Sequence, residues 1–275
     1  MQQNDTGGGF RVPPALARLA ADTAACLRFF TRLPVPKVGP LDDPAAAPDF
    51  RVIARAMPLA GAVLATGPAL LWLVLQMTAL PPMASAGLVL ASLIALTGAL
   101  HEDGLGDIAD GFFGGASPER RLEIMKDSRI GAFAAIALAL SLILKVALLA
   151  VLPERFGWAG SALLLVGVEA LSRCLALWQW STLPAARPDG LAARFGVPGM
   201  DAVLNGLGLT ALVLLPLVFV LPVLSLVCGL AAGALAAHAT GRLAFAKIGG
   251  FTGDVIGAVQ QLSALAFLLG VLVLA

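Results

Sequence analysis

The sequence predicts an all-α fold: a polytopic transmembrane helix bundle with about seven spans, preceded by an N-terminal amphipathic helix. Two observations on its 275 residues favour this class, because 59% are hydrophobic and only 13% are charged. A soluble domain has about 45–50% apolar and about 25% charged residues, so too few charges remain to cover a water-facing surface. The 18 Lys and Arg residues nearly balance 17 Asp and Glu residues, so no nucleic-acid partner is expected.

Long apolar stretches are the third observation, since a hydrocarbon core of about 30 Å is crossed by about 20 helical residues. The predicted spans lie near residues 57–80, 84–100, 131–152, 158–180, 202–221, 223–239 and 255–274. Pro81 and Pro82 separate the first two spans. Residues 202–239 are too long for one crossing at about 1.5 Å per residue, so the chain is expected to turn near Pro222. The whole chain, 1–275, is interpreted as one integral membrane domain.

The N-terminal arm differs from the spans. Residues 1–14 form a polar tail without the apolar segment of a signal peptide. Residues 15–31 repeat apolar side chains at helical spacing, with Leu16 and Phe30 on one face and Asp22 elsewhere. This pattern predicts a helix that either lies on the membrane surface or packs on the end of the bundle.

The distribution of basic residues predicts the orientation. Of the 18 Lys and Arg residues, 15 fall on the side of the N-terminal arm, and the opposite side has only Arg155. Positive charge of this kind marks the cytoplasmic side. The loops expected on that side are 101–130, 181–201 and 240–254.

The loop at 101–130 carries the strongest chemical signal. It begins HEDGLGDIADG and places Asp103, Asp107 and Asp110 at spacing i, i+4, i+7. On a helix these carboxylates fall within an arc of about 60°, where they repel one another unless a cation intervenes. Hard oxygen ligands suit Mg²⁺ or Mn²⁺, usually together with substrate phosphates. The spacing therefore favours a metal-dependent phosphate site over a solvated acidic loop.

Basic residues follow the acids in the same loop. Lys126 and Arg129 are candidate ligands for a diphosphate, because their charges would neutralise phosphate oxygens as a P–O bond breaks. Arg120 and Arg121 are expected mainly to anchor the loop at the membrane surface.

Two further segments on the same side carry candidate residues. Asp254 closes the sequence GGFTGD at the start of the last span, where it either caps the helix or joins the acidic site, and the second interpretation is favoured. Arg242 either holds a phosphate or anchors the interface. Arg187, in the turn sequence RPDG, is weak evidence alone.

Charged residues inside the spans need a separate explanation. Glu169 and Arg173 are four residues apart on one predicted helix, which favours a structural or substrate-lining pair over a proton relay. Lys145 lies past the centre of its span and is expected to reach outward to the interface.

Five motifs occur together and in a fixed order along the chain. They are TRLPVP at 31–36, HEDGLGDIADG at 101–111, RRLEIMKDSRIGAF at 120–133, RPDGLA at 187–192 and GGFTGDVIGA at 249–258. With these motifs, the chain from about residue 25 to the last span resembles the cobalamin synthase family of adenosylcobinamide-GDP ribazoletransferases. The acidic motif of that family commonly reads H-x-D-G-L-A-D-x-x-D-G, and this chain has Gly106 in place of the Ala.

The resemblance implies a Mg²⁺-dependent transfer, with Mn²⁺ as an alternative metal. The cobinamide phosphate of adenosylcobinamide-GDP would pass to α-ribazole or α-ribazole 5′-phosphate, and GMP would be released. The implied catalytic residues are Asp103, Asp107, Asp110, Asp254 and His101, the first three of them as metal ligands. The implied phosphate-binding residues are Lys126, Arg129, Arg32, Arg187 and Arg242. Which acid accepts the proton of the attacking hydroxyl stays open, and His101 is either a base or a hydrogen-bonding partner.

The resemblance also implies a multi-pass protein of the bacterial inner membrane, with its active-site loops in the cytoplasm. Besides the two substrates, the expected partner is membrane lipid. A homo-oligomer, or an association with other cobalamin-assembly enzymes, is left open.

Two other functional classes fit less well. A CDP-alcohol phosphotransferase also binds metal through aspartates on membrane helices, but its pattern D-G-x-x-A-R followed by G-x-x-x-D-x-x-x-D is absent. A transporter would concentrate its unusual residues near the membrane midplane. Most of the charged residues here lie in loops on one side, which favours an enzyme.

Overall fold

The computed structural model describes residues 13–187 and 190–274, and this part of the chain is almost entirely helical. The helices are α1 (Pro14–Phe30), α2 (Phe50–Ile53), α3 (Met57–Leu75), α4 (Pro82–Thr97), α5 (Leu100–Gly114), α6 (Pro118–Ile124), α7 (Ala132–Thr182), α8 (Leu191–Arg194), α9 (Met200–Leu214), α10 (Val223–Ile248) and α11 (Gly253–Val273). Turns of 3₁₀ helix at Ala54–Ala56 and Leu215–Phe219 extend this order. Within the described residues, β-type pairing is limited to one isolated bridge between Ala185 and Phe251. The predicted all-α class is confirmed. Residues 1–12 of the predicted polar tail lie outside the described residues.

Several helices are long and apolar enough to cross a membrane. In the described part of the chain, the five candidates are Phe50–Leu75, Ala132–Thr182, Met200–Phe219, Val223–Ile248 and Gly253–Val273. A sixth candidate joins α4 to α5 across a bend of 89°. The polytopic class is therefore confirmed, whereas the count of seven crossings stays a prediction. The turn expected near Pro222 is confirmed, since this residue precedes α10 as its N-cap.

The longest helix, α7, folds back on itself at Gly157. This residue has φ +70° and ψ 174°, which are not helical. Lys145 and Glu169 lie equally far before and after it and line the same small cavity. A straight helix would separate them by about 36 Å, so the two legs at 132–156 and 158–182 must lie side by side.

Helix α11 forms the centre of the bundle. In its most apolar window 78% of the residues are buried, compared with 22–56% in the other candidate spans. It packs against α5, α7 and α10. One apolar cluster surrounds its first half and includes Phe50 and Phe251, and a second surrounds its other half and includes Trp72 and Phe267.

Helix α1 packs on the end of the bundle through its second half. Leu27 is buried there, whereas Leu16 in the first half is 56% exposed. Asp22, which lies off the apolar face of the helix, is nevertheless buried, and its carboxylate accepts hydrogen bonds from Arg55 Nε and Nη2 at 3.0 and 2.7 Å. The ion pair permits burial of an acid that would otherwise be strongly disfavoured there.

Two segments expected to be loops are largely helical. α5 and α6 occupy much of 101–130, and α10 continues to Ile248, well into 240–254. In both segments the helix continues past the end of the apolar stretch. Hydropathy therefore underestimates the length of these helices. Gly98 and Ala99, with φ of +64° and +60°, turn the chain between α4 and α5. α5 therefore leaves the direction of the preceding span.

The contact between α3 and α7 at Gly61 generates a test of this packing. A Cβ at this position would lie 2.4 Å from the carbonyl oxygen of Glu169 and 2.8 Å from Arg173 Cδ. We expect Gly61→Ala to force the helices apart and to lower the free energy of unfolding by about 1–3 kcal/mol. Gly67→Ala, on the same helix with nothing within 4 Å of the added Cβ, is the matched control and should be neutral or slightly stabilising. Thermal unfolding in detergent measures the difference, and equal midpoints would contradict the close contact.

Candidate active site

The acidic site forms where α5 crosses the start of α11. A Cβ at Gly104 would lie 2.7 Å from the carbonyl oxygen of Asp254, and a Cβ at Gly257 would lie 3.3 Å from His101 Cα. The backbones are therefore in direct contact, which brings Asp254 beside the acids of α5. The hydroxyl of Thr252 caps α11 and donates to a carboxylate oxygen of Asp254 at 3.1 Å. Asp254 thus occupies the first turn of α11, where the helix dipole favours negative charge.

Asp107 lies at the centre of the acidic cluster. Its partial burial and the carboxylates of Asp254, Asp103 and Asp110 raise the pKa of Asp107 to about 7, and Arg187 opposes this rise. The structure therefore brings the three predicted acids of α5 together with the predicted acid of α11. The mutual repulsion of four carboxylates makes the site attractive to a cation.

Asp110 has a second task that the sequence did not indicate. Its Oδ2 accepts a hydrogen bond from the Gly131 N–H at 2.6 Å, and its Oδ1 accepts one from the Ala134 N–H at 2.9 Å. The N–H groups at the start of a helix have no partner within that helix, so Asp110 caps α7. Among the described residues, no three His, Cys, Asp or Glu side chains are already arranged to hold a metal ion. The role of Asp103, Asp107 and Asp110 as metal ligands stays a prediction.

Three cavities adjoin the cluster, and Asp103 lines all of them. The first, which we call the Lys126 cavity, has a volume of about 450 Å³ and is lined by Lys126 and Arg129 as well as by acids of α5. Lys126 is exposed. Arg129 pairs with Asp127 at 2.6 Å, but its side chain is 87% exposed, so the pair contributes little and the guanidinium can turn towards a phosphate. The structure thus brings both predicted bases of this segment to the acids.

The second cavity, which we call the Arg32 cavity, lies at the bend between α4 and α5 and has a volume of about 460 Å³. Arg28 and Arg32 line it together with Asp103. The Arg28 guanidinium is held by Asp42, at 2.8 Å from Nη1 to Oδ1, and this hydrogen bond keeps the pKa of Asp42 below its ordinary value. Arg32 is exposed. It therefore offers a second basic group to a phosphate near the acids.

The third cavity, which we call the aromatic cavity, is smaller, at about 200 Å³. It is lined by Phe29, Phe30, Met57, Leu100, His101, Asp103, Arg173, Ala176, Trp180, Ala192, Gly253, Asp254, Ile256, Gly257 and Gln260. His101 is 6% exposed and stacks on Phe30, with ring centroids 6.1 Å apart. The structure places this predicted catalytic residue in the wall of an aromatic cavity, next to the acids.

The two remaining predicted arginines have different surroundings. Arg187 acts on the charge of Asp107 and donates from Nη2 to the carbonyl of Leu122, so it reaches the site. The other two residues of its turn, Pro188 and Asp189, lie outside the described residues. Arg242 is exposed on α10 and is absent from the linings of the three cavities described above. Its predicted phosphate-binding role therefore stays a prediction.

A buried polar network lies behind the acidic site. Gln261 Nε2 donates to Glu102 Oε1 at 3.0 Å and to Gln260 Oε1 at 2.9 Å, and Gln261 Oε1 accepts from Lys145 Nζ. Gln260 Nε2 donates in turn to Ser172 Oγ at 3.0 Å. The expectation that Lys145 reaches outward is wrong, because it is only 7% exposed and its amide partner on α11 lies inside the bundle.

Glu169 and Arg173 form the predicted pair within one helix leg. A carboxylate oxygen of Glu169 accepts from Arg173 Nη1, and the side chains are 12% and 3% exposed. Both residues line the small cavity that Lys145 also lines, and Arg173 lines the aromatic cavity as well. The pairing expected between these two residues is therefore observed, and whether the pair also lines a substrate site stays a prediction.

Sequence reasoning missed several residues of the site. Gln260 and Gln261 stand side by side in an apolar span, and polar groups there are costly enough to have served as a signal. Phe29, Phe30 and Trp180 gave no signal, because aromatic residues are ordinary in apolar helices.

Together, the helical bundle, the carboxylate cluster and the adjoining basic side chains define a polytopic membrane protein equipped for chemistry on phosphate groups. The family model described as cobalamin-5-phosphate synthase matches residues 22–272. The chain belongs to this family.

Curated relatives cover nearly the whole chain. A protein of Azorhizobium caulinodans named adenosylcobinamide-GDP ribazoletransferase is 46% identical over 266 residues, which are 94% of this chain and 98% of that protein. Proteins of the same name from Brucella anthropi and Brucella ovis are 46% and 45% identical, each over 92% of this chain and 96% of the relative. No solved structure matches the chain.

The capping role of Asp110 can be separated from a ligand role. We expect Asp110→Asn to lower the free energy of unfolding by about 1–2 kcal/mol, because only one of its two backbone N–H partners can keep an oxygen acceptor. Asp103→Asn, at an exposed acid of the same helix, should leave stability unchanged or raise it slightly by removing a repelling charge. Thermal unfolding of both variants in detergent is the measurement. A loss of stability confined to Asp103→Asn would show that the cap is unimportant.

Proposed function

We propose that the protein joins adenosylcobinamide-GDP to α-ribazole, or to α-ribazole 5′-phosphate, in cobalamin synthesis. The products are adenosylcobalamin, or its 5′-phosphate, and GMP. The observation that carries the proposal is the position of Asp103, which lines two cavities with basic side chains and one aromatic cavity. The family assignment and the names of relatives over more than nine-tenths of the chain support the same activity.

The reaction replaces a phosphoanhydride bond by a phosphate ester bond. A ribose hydroxyl oxygen of the ribazole forms a bond to the phosphorus carried by the cobinamide. The bond from that phosphorus to the bridging oxygen of the diphosphate breaks, and GMP departs with this oxygen and the electron pair. The hydroxyl proton passes to a carboxylate of the acidic cluster. Lys126 and Arg129 in one cavity and Arg32 in the other balance the charge of the diphosphate.

The donor set fits a divalent cation, with Mg²⁺ proposed and Mn²⁺ as the alternative. Burial and the neighbouring carboxylates raise the pKa of Asp107 to about 7, and a cation bound by the hard carboxylate oxygens would relieve their repulsion. Asp103, Asp107 and Asp254 would hold the ion, since both oxygens of Asp110 already accept backbone hydrogen bonds. A bound cation supplies charge neutralisation at the diphosphate and the departing GMP.

The charge pattern supports a proposed location and orientation. We place the protein in the bacterial inner membrane with the acidic cluster on the cytoplasmic side, since 15 of the 18 basic residues lie on that side of the predicted topology. The outer faces of α9 and α10 carry exposed Leu204, Leu207, Leu212 and Leu235. Lipid covers these faces in a monomer, and they are also the surfaces available to a second copy or to another cobalamin-assembly enzyme.

The activity can be tested directly. Purified protein in detergent, given adenosylcobinamide-GDP, α-ribazole and Mg²⁺, should release GMP. Asp103→Asn should lower kcat by about 10²–10³-fold, because it removes a charge at the point where the three cavities meet. Asp43→Asn, at an exposed acid of the linker, is the matched control and should retain activity. Folded wild-type protein that releases no GMP would refute the proposed function, and full turnover by Asp103→Asn would refute the role of this acid.

The metal requirement has a predicted pH dependence. Because the pKa of Asp107 lies at about 7 without a cation, protons compete with Mg²⁺ for this carboxylate below that pH. We expect the apparent Mg²⁺ affinity to rise as the pH is raised to about 7 and to level off above it, and EDTA to abolish activity reversibly. The measurement is the Mg²⁺ dependence of GMP release across this pH range. Binding of adenosylcobinamide-GDP at each pH is the control for effects of pH on the substrate. A Mg²⁺ affinity that does not change between acidic and alkaline pH would contradict the assignment.

A further inference from the structure

Two residues that line the aromatic cavity each have a buried hydrogen-bond donor without a partner. Arg173 Nη2 and Trp180 Nε1 are buried and make no hydrogen bond within the described residues. Both residues line this cavity, and they are only 2% and 3% exposed. Buried N–H groups nearly always have an acceptor, so two such donors at one cavity point to a ligand that supplies acceptors.

The two donors share one face of the second leg of α7. The spacing of seven residues brings the Cα atoms of Arg173 and Trp180 to within about 20° of each other around the helix axis and about 10 Å apart along it. A single ligand of the size of a nucleoside can therefore reach both.

The aromatic cavity has a polar open end and a closed end that is mostly apolar. Asp103 is exposed and Asp254 is partly exposed, whereas Trp180 and Arg173 are buried. The rings of Phe30 and His101 are stacked within 21° of parallel and form part of the wall. Such a cavity suits a flat aromatic group that enters past the acids.

We propose that the aromatic cavity binds the benzimidazole base of the ribazole substrate. Between them, Trp180 Nε1 and Arg173 Nη2 donate to the unsubstituted ring nitrogen of the base and to an oxygen of its ribose. The ribose then extends from the donor that it accepts from towards the open end, so that its remaining hydroxyl groups lie beside Asp103. This inference rests on the proposed function, because it assigns one of the two substrates of that reaction to one cavity.

The guanine base of the other substrate fits the aromatic cavity less well. Guanine offers the acceptors O6 and N7 on one edge, but its other edge carries N–H donors, which find no acceptor in two unpaired atoms that are themselves donors. The side chains suited to the diphosphate, Lys126, Arg129 and Arg32, line the other two cavities. Benzimidazole has a ring-nitrogen acceptor and no N–H once it is attached to ribose, which matches the donors.

The test is a binding titration of α-ribazole with the full-length protein in detergent, without the second substrate. Trp180→Phe keeps an aromatic ring but removes the N–H donor, and we expect it to weaken α-ribazole binding by about 10-fold. Trp178→Phe is the matched control, because Trp178 lies on the same helix leg but stacks on His238, outside the cavity lining. Neither variant should change the KM for adenosylcobinamide-GDP.

A second measurement changes the ligand instead of the protein. The corresponding indole riboside lacks the ring-nitrogen acceptor, and it should bind the wild-type protein about 10-fold more weakly than α-ribazole. This comparison gives an answer even if Trp180→Phe does not fold.

The outcomes separate this inference from the proposed function. Equal binding of the two ribosides, or unchanged α-ribazole affinity in folded Trp180→Phe, would overturn the inference while GMP release by the wild type still supports the function. Competition of GMP with α-ribazole in the titration would assign the cavity to guanine and also overturn it. Wild-type protein that binds α-ribazole as expected but releases no GMP would refute the function and support the cavity assignment.

Discussion

The need to pair polar side chains inside a bilayer is the constraint on which this bundle depends. Gln260 and Gln261 lie in the central helix α11, where an unpaired amide would be costly. Their partners come from α5, through Glu102, and from both legs of α7, through Lys145 and Ser172. These bonds fix the rotation of α11 against its neighbours. They therefore also fix where the first turn of α11, with its carboxylate, meets α5.

The acidic cluster is held together against its own repulsion. Gly104 lets the two backbones touch, the start of α11 and the Thr252 hydroxyl favour the charge of Asp254, and Arg187 opposes the repulsion felt by Asp107. Asp110 is anchored by the N–H groups that begin α7. Each compensation comes from a different element of the fold. The cluster can thus remain poorly neutralised within the protein and still be stable, which leaves its charge available to a cation and a diphosphate.

The fold class, most of the long helices and the acids of α5 could be predicted from the sequence, because hydropathy and helical spacing are local properties. The capping role of Asp110 could not, since it depends on where α7 begins relative to α5. The surroundings of Arg242 could not be predicted either, because they depend on how far α10 continues and on what packs against it. The cavity that Arg173 and Trp180 line forms only when the chain folds back at Gly157 and α1 supplies Phe29 and Phe30, so the sequence did not indicate it. Such relations arise from tertiary contact, and no window of sequence contains them.

The shared position of Asp103 has a kinetic consequence. The Asp103 carboxylate borders the smaller aromatic cavity and both larger cavities. A ligand that lies across Asp103 therefore governs access to the aromatic cavity. A bulky corrinoid nucleotide stretched between the two wider cavities would cover the mouth of the narrow one. We therefore expect the small nucleoside to arrive first and to be trapped beneath its larger partner until the two are joined. The architecture favours a compulsory order of binding over a random one.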